Sequence, residues 1–217
     1  MVSSTLTSIG SRAVLFQADC PFDLEHQRRF WEMADAAGSW KGVREAVPGM
    51  TNLTLLLEDV PNDLDSLTSK LDALWNSGIR KSVEGQLLEV DIVYGGDGGP
   101  HLADVAEMTG FSIDEVIRLH SAPVYTVYAV GSHAGYCYLG GLDPRLETQR
   151  RKVPLTRLPG GSLSVAGLQT GVSASTGPSG WNTIGSADVR FFDPARNPAS
   201  LLKPGDRIRF NPIEIAA

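Results

Sequence analysis

Beyond Pro123 the chain has no room for a long helix. Short runs that alternate or cluster apolar residues (Val124–Val130, Ser162–Ala166, Leu168–Val172, Asp188–Phe192 and Arg207–Asn211) are cut at short intervals by Gly and Pro. Such spacing reads as β-strands joined by tight turns, which close into a barrel or stack as a sandwich. In LLKPGDRIRF, Pro204–Gly205–Asp206 supplies a turn. Ile208 and Phe210 then alternate with Arg207 and Arg209, as on the last strand of a barrel.

The first part has a different rhythm. Thr5–Ile9 and Ala13–Gln17 read as strands around Gly10–Ser11, and Val43–Val47 and Leu53–Leu57 as strands around Pro48–Gly49. Asp23–Ala37 carries Leu24, Trp31 and Ala34 at helical spacing, with Gly38 as its stop. Asn62–Trp75 is the clearest helix, with Leu64, Leu67, Leu71 and Leu74 on one stripe and Asn62 placed to cap it. Gln86–Val93 alternates as a strand. The order ββ-α-ββ-α-β predicts an α+β sandwich of ferredoxin-like type over 1–93, followed by a mainly β barrel domain over 94–217. Gly95–Pro100 (GGDGGP) reads as the hinge between them.

Two short helices should follow that hinge. Gly110 closes the first, and Ser112 with Glu115 forms a capping box for the second. A helical pair of this size raises the question of DNA binding, but the second helix offers Arg118 against Asp114 and Glu115. With a net charge of −6, the chain lacks the basic stripe that nucleic acid or an anionic membrane requires. GGDGGP also lacks the GK[ST] ending of a phosphate loop. The 4 histidines are scattered, and no HExxH or CxxC pattern is present, so no metal is expected. Cys20 and Cys137 lie far apart, which fits reduced structural thiols. No apolar run has the length of a membrane span, and the N-terminus lacks the pattern of a signal peptide. The cytoplasm is the expected compartment.

The polar candidates gather around Tyr125–Gly141, Gln169–Gly171 and Trp181–Gly185, where glycines alternate with aromatic and polar residues as they do in a pocket wall. His120 ends a helix. It is either satisfied by local carbonyls and the helix dipole or aimed at the pocket. His133 is a loop residue that either serves the pocket or only faces solvent. Gln169 and Thr170 bring neutral donors and acceptors that orient an amide, urea-like or carboxylate ligand rather than attack it. Trp181 is core or a stacking platform. Arg145, Arg150, Arg151, Lys152 and Arg157 form a basic cluster, read either as a solvated loop or as a rim facing an anion or a partner.

Three long stretches carry a resemblance: YGGDGGPHLADVAEMTGFSIDEVIRLHSAPVYTVYAVG, YLGGLDPRLETQRRKVPLTRLPGGSLSVAGLQTG and FFDPARNPASLLKPGDRIRF. The chain resembles the KipI family, also called allophanate hydrolase subunit 1 or PxpB, the B subunit of 5-oxoprolinase. It is similar to the first half of the carboxyltransferase region of urea carboxylase (subdomains C and D). The resemblance implies a cyclophilin-like barrel and an active site shared with a subunit of the allophanate hydrolase subunit 2 (PxpC) type. In the 5-oxoprolinase version it implies a third, LamB/YcsF (PxpA)-type subunit and ATP-driven lactam opening, with ATP acting at the level of the complex. The urea carboxylase version would involve biotin, and a third version is a non-enzymatic inhibitor of a histidine kinase.

Position by position, His120 and Ser121 match the family's HS pair. Gly135, Tyr138, Leu139 and Gly140 match its glycine-rich loop, Gln169–Gly171 its QTG strand, and Gly180, Trp181, Ile184 and Gly185 its GW turn. The implied catalytic set is His120, Gln169 and Thr170. The implied substrate contacts are Ser121, Gly135, Tyr138, Gly140, Trp181 and Asn182. The chain departs from the family pattern at Ser132, Ala134, Ser173, Ala174, Asn182 and Ser186. Loss of the family's Arg at position 186 removes a fixed bidentate donor. These changes imply either a different substrate or a binding function without turnover.

Overall fold

The computed structural model describes residues 3–78 and 85–216. It divides into two compact units, Met1–Val83 and Glu84–Ala217.

The first unit runs β1 (Ser4–Ser8), β2 (Ala13–Ala18), α1 (Leu24–Ala37), β3 (Val43–Pro48), β4 (Asn52–Leu57) and α2 (Leu64–Asn76). Its sheet is antiparallel in the order β1-β2-β4-β3. Strand alternation drives Val14 and Phe16 of β2, and Leu53, Leu55 and Leu57 of β4, inward. There they meet Phe30 and Met33 of α1 and Leu71 and Trp75 of α2, with the rings of Phe30 and Trp75 4.9 Å apart. The α2 cap is Asp63 rather than the expected Asn62. Asp63 has extended backbone and its carboxylate accepts from Ser66 N–H at 2.8 Å, three residues on. The buried Gln27 of α1 pins the β3–β4 turn. Its amide donates to Gly49 carbonyl (2.8 Å) and accepts from Thr51 N–H (3.1 Å), where Thr51 holds a left-handed φ of 56°.

The second unit begins with β5 (Leu87–Gly95), a 3-10 turn at Gly96–Gly98, α3 (Leu102–Thr109), α4 (Ile113–Ser121), β6 (Val124–Val130) and β7 (Cys137–Gly140). It continues with a 3-10 turn at Pro144–Leu146, then β8 (Leu155–Leu158), β9 (Ser162–Ala166), β10 (Gln169–Val172), β11 (Gly177–Ser179), β12 (Asn182–Ser186) and β13 (Arg207–Ala216). Seven strands close a barrel in the order β10-β7-β6-β13-β5-β12-β9, and β8 pairs with β11 beside it. The barrel core joins Val90, Ile92 and Tyr94 to Tyr125, Val127, Leu139, Leu163, Val165, Val172, Ile208 and Phe210.

Three expectations change here. The strand at 86–93 does not complete the first sheet. As β5 it pairs in parallel with β13 and antiparallel with β12, so the first unit is ββαββα and the division falls ten residues earlier than expected. Gly95–Pro100 is not a hinge. A Cβ on Gly98 would lie 2.3 Å from Ser186 Oγ and one on Gly99 2.4 Å from Ile184 carbonyl oxygen, so these glycines let the turn press onto β12. Asp188–Phe192 is not a strand; β12 precedes it, and Phe191 is buried in the barrel core instead.

The ends of the barrel are fastened by polar groups. The buried Asp206 carboxylate accepts from Gln86 N–H (3.1 Å), Lys203 N–H (3.0 Å) and the Gln86 side-chain amide (3.3 Å). This ties the start of β5 to the start of β13. Gly110 ends α3 at φ 73°, as expected. Only half of the α4 capping box forms. Ser112 Oγ accepts from Glu115 N–H, whereas the Glu115 carboxylate takes a bidentate contact with Arg118 at 2.7 and 2.6 Å.

Candidate functional site

Alternation around β7 sets up the site. Cys137 and Leu139 point into the barrel, so Tyr136 and Tyr138 stand on its outer face. Their centroids are 4.7 Å apart with the rings inclined at 64°. Trp181, just before β12, meets Tyr136 at 6.1 Å and Tyr138 at 6.0 Å, both edge to face, and His133 meets Tyr136 at 5.2 Å. The glycine of the QTG strand makes this possible. A Cβ on Gly171 would lie 2.5 Å from the Tyr136 hydroxyl oxygen and 3.0 Å from Cys137 carbonyl oxygen.

These rings line a cleft of about 170 Å³, together with Ser132, Arg150, Leu158, Ser164, Ser173, Pro178, Ser179 and Gly180. That is below the roughly 300–1,000 Å³ of pockets for drug-sized ligands, so it suits a compact molecule. Among the described residues no carboxylate lines it. Burial pushes the Tyr136 hydroxyl well above the usual tyrosine range, with Tyr138 adding to the shift. Burial also lowers the His133 pKa, which keeps the ring neutral, and its buried Nε2 has no hydrogen-bond partner among the described residues. The guanidinium of Arg150 lies 5.7 Å from the Trp181 ring centroid, a cation–π arrangement. Ser132 holds a left-handed φ of 62° at the cleft edge.

The segment carrying Arg150 is held on both sides. Thr148 bridges to Gly167. Asn182 Nδ2 donates to Gln149 carbonyl at 2.9 Å, Arg151 N–H donates to Gly180 carbonyl at 2.8 Å, and Arg151 pairs with Asp104 at 2.8 Å. Asn182 is buried and acts as a staple for this segment rather than as a cleft wall.

His120 is not at the cleft. It is fully buried among Tyr94, Tyr125 and Phe210. The Thr170 hydroxyl donates to Ser164 carbonyl (3.1 Å) and so accepts from His120 Nε2–H (3.0 Å); Nδ1 then accepts from the Tyr94 hydroxyl (2.8 Å). Both ring nitrogens are satisfied. Burial pushes the His120 pKa down to about 3, so the imidazole is neutral near pH 7. The Tyr125 hydroxyl donates to His120 carbonyl at 2.6 Å. His120 and Thr170 therefore do meet, as a sealed internal link, neither at local carbonyls alone nor in a pocket.

Gln169 falls on the opposite side of β10 from Thr170, in a wider groove of about 580 Å³ with Glu147, Thr148, Gln149, Arg150, Ala166 and Gly167. Ser121 Oγ donates back to Ile117 carbonyl within α4. Gly135, at φ 79°, packs against Phe192, and Gly140 packs under the Tyr128 ring. Of the expected contacts, Tyr138 and Trp181 line the small cleft. Ser132 and Ser173, two of the departures from the family pattern, line it too; Ser164 and Ser179 join them unforeseen, because nothing in the chain marks which face of a strand a lone serine occupies. Buried His101 was also unforeseen. Its Nδ1 accepts from Thr183 N–H at 2.9 Å. No group of three or more His, Cys, Asp or Glu suited to a metal occurs among the described residues. Nor is any helix there long and apolar enough to cross a membrane.

The family match over residues 4–202 makes this a domain of the carboxyltransferase type. Kluyveromyces lactis urea carboxylase shares the fold at TM-score 0.80 and 16% identity, over 97% of this chain and 22% of that one. Residues 4–202 match the family described as carboxyltransferase domain, subdomain C and D, and the chain belongs to that family. It is 39% identical to the B subunit of 5-oxoprolinase from Escherichia coli O157:H7 over 94% of each. It is also 31% identical to the solved protein TTHA0988, with TM-score 0.76, over 94% of this chain and 40% of that one. The chain thus spans about two fifths of that structure.

Proposed function

We propose that this chain is the B-type subunit of a 5-oxoprolinase-type complex and contributes half of a shared site for ATP-dependent lactam opening. The observation that carries the reading is the 39% identity to the Escherichia coli 5-oxoprolinase component over 94% of both chains. The cleft supports it: about 170 Å³, walled by Tyr136, Tyr138 and Trp181, with Arg150 in its lining and no carboxylate among the described residues there, it suits a small ring with polar edges. In this reading Trp181 and Tyr138 hold the ring. The hydroxyls and His133 orient the lactam amide, whose C–N bond is hydrolysed: water supplies the new carboxylate oxygen, the ring nitrogen leaves as the amine, and ATP is converted to ADP and phosphate in the same turnover. Gln169 faces the adjoining groove and orients from there. His120 and Thr170 act by positioning β10, since both are sealed from solvent. A PxpC-type subunit completes the site, a PxpA-type subunit joins them, and ATP is consumed by the assembly.

A second reading has one observation behind it. Ser132 and Ser173, two of the departures from the family pattern, both line the cleft. A chain retuned there would bind without turnover, as a kinase inhibitor of the KipI kind does. Co-expression with the PxpA- and PxpC-type subunits, followed by an assay of ATP-dependent 5-oxoproline cleavage, separates the two. Turnover that requires all three supports the enzyme; a chain that neither joins the complex nor supports turnover sinks it.

A further inference from the structure

Arg150 differs from most arginines of its unit. Arg118, Arg145, Arg151, Arg190 and Arg209 form ion pairs with nearby carboxylates, whereas Arg150 is paired with none among the described residues. Its guanidinium lies instead on Trp181, at the edge of a cleft that holds no acidic group, in a chain whose net charge is −6. Its backbone is fastened on both sides by Gln149 carbonyl to Asn182 and Arg151 N–H to Gly180. The cost of ordering the cation on binding is thereby reduced. From Arg150 the rings of Trp181, Tyr138, Tyr136 and His133 run in continuous contact to an unpartnered ring nitrogen at the far end.

We infer that Arg150 is the specificity anchor of this cleft and binds a carboxylate of the ligand while the ligand's body lies against Trp181 and Tyr138. The inference rests on reading the cleft as the ligand half-site. A guanidinium that meets an indole and no carboxylate leaves N–H donors for both oxygens of a ligand carboxylate, a two-point contact that an ammonium cannot match. With the cation at one end and neutral hydrogen-bonding groups at the other, the cleft selects compact ligands with one anionic end and one uncharged polar end.

The test is calorimetric titration of the full chain with matched pairs: 5-oxoproline against its carboxamide and against 2-pyrrolidinone, and benzoate against benzamide. Arg150→Gln, Arg150→Lys and the exposed control Arg157→Gln are titrated alongside. Each acid should bind more tightly than its neutral partner. Arg150→Gln should erase that preference, weakening acids about ten- to a hundredfold and leaving neutral ligands unchanged. Arg150→Lys should restore only part of it, and Arg157→Gln should change nothing. Ligand-free thermal unfolding of all three variants should match the parent. If acids bind in an Arg150-dependent way but 5-oxoproline is no better than benzoate, the anchor stands and the lactam reading falls. If 5-oxoproline and 2-pyrrolidinone bind equally, with or without Arg150, the lactam reading stands and the anchor is refuted. No binding of any acid at millimolar concentration also refutes the anchor.

Discussion

Replacing Gly171 by alanine tests how the cleft is built. The added Cβ would sit 2.5 Å from the Tyr136 hydroxyl oxygen and 3.0 Å from Cys137 carbonyl oxygen. The carbonyl belongs to a strand paired with β10, so the tyrosine ring must give way. That ring is wedged between His133, Tyr138 and Trp181. Overpacking of this kind costs about 1–3 kcal/mol. The lower chain entropy of alanine in a strand returns about 0.5–1 kcal/mol, so the net loss is about 0–2.5 kcal/mol. The clash is chiefly with one oxygen, and the same substitution in a Tyr136→Phe background should cost less than half as much. Trp181 is the only tryptophan of the second unit, the other three being Trp31, Trp40 and Trp75. With 5-fluorotryptophan labelling, the Trp181 ¹⁹F resonance therefore reports urea unfolding of the barrel unit alone. It should also shift in the native state of Gly171→Ala. Equal costs in the two backgrounds, or an unmoved Trp181 resonance, would refute the packing argument.

Three other outcomes follow from the buried polar groups. Burial depresses the folded-state pKa of His120 from 6.5 to about 3, so between those values the unfolded chain binds more protons. The His120 contribution to the stability of the barrel unit should then fall as pH drops through that window, by up to about 1.4 kcal/mol per unit, and be constant above it. His120→Gln should flatten that slope, read by the same ¹⁹F signal. Asp206→Ala should strand the N–H groups of Gln86 and Lys203 and cost about 1–3 kcal/mol, with faster hydrogen exchange at both amides. Gln27→Ala should strand Gly49 carbonyl and Thr51 N–H and lower the melting of the first unit by a similar energy, while the Trp181 resonance stays in place.

Local signals were legible where neighbours in sequence are neighbours in space. The Gly110 stop, the strands around Pro48–Gly49, the Leu67, Leu71 and Leu74 part of the α2 stripe (Leu64 is exposed) and all but one of the segmented strands beyond Pro123 belong to that kind. What failed was pairing at a distance. Leu88, Val90 and Ile92 alternate equally well for any sheet, and β5's partner Arg207–Ala216 lies over a hundred residues away. The glycines of the QTG strand and of the loop before it marked close approach, but not what approached: Tyr136 at Gly171 and Tyr128 at Gly140. Trp181 is 6% exposed and still supplies a wall of the cleft, so burial and a place in the cleft wall are not alternatives for it. Arg150 was hidden in a run of cations, because sequence does not say which of them a carboxylate will neutralise.

The β5–β13 seam also governs when this protein can come into being on the ribosome. Every strand of the first sheet is complete by Leu57 and its last helix by Asn76, so that unit is free to fold early. The barrel has β13 between β5 and β6 and stays an open sheet with bare edges until Ala216 has been made. At about 5–20 residues per second, the roughly 130 residues after the first unit take about 7 to 26 seconds to synthesise. For that interval the apolar strands of the nascent barrel are exposed, and the contact that ends their exposure is among the longest in sequence that the chain makes. A chain that stops short of β13 lacks the strand that joins β5 to β6, and its barrel strands keep the bare edges on which unfolded chains aggregate.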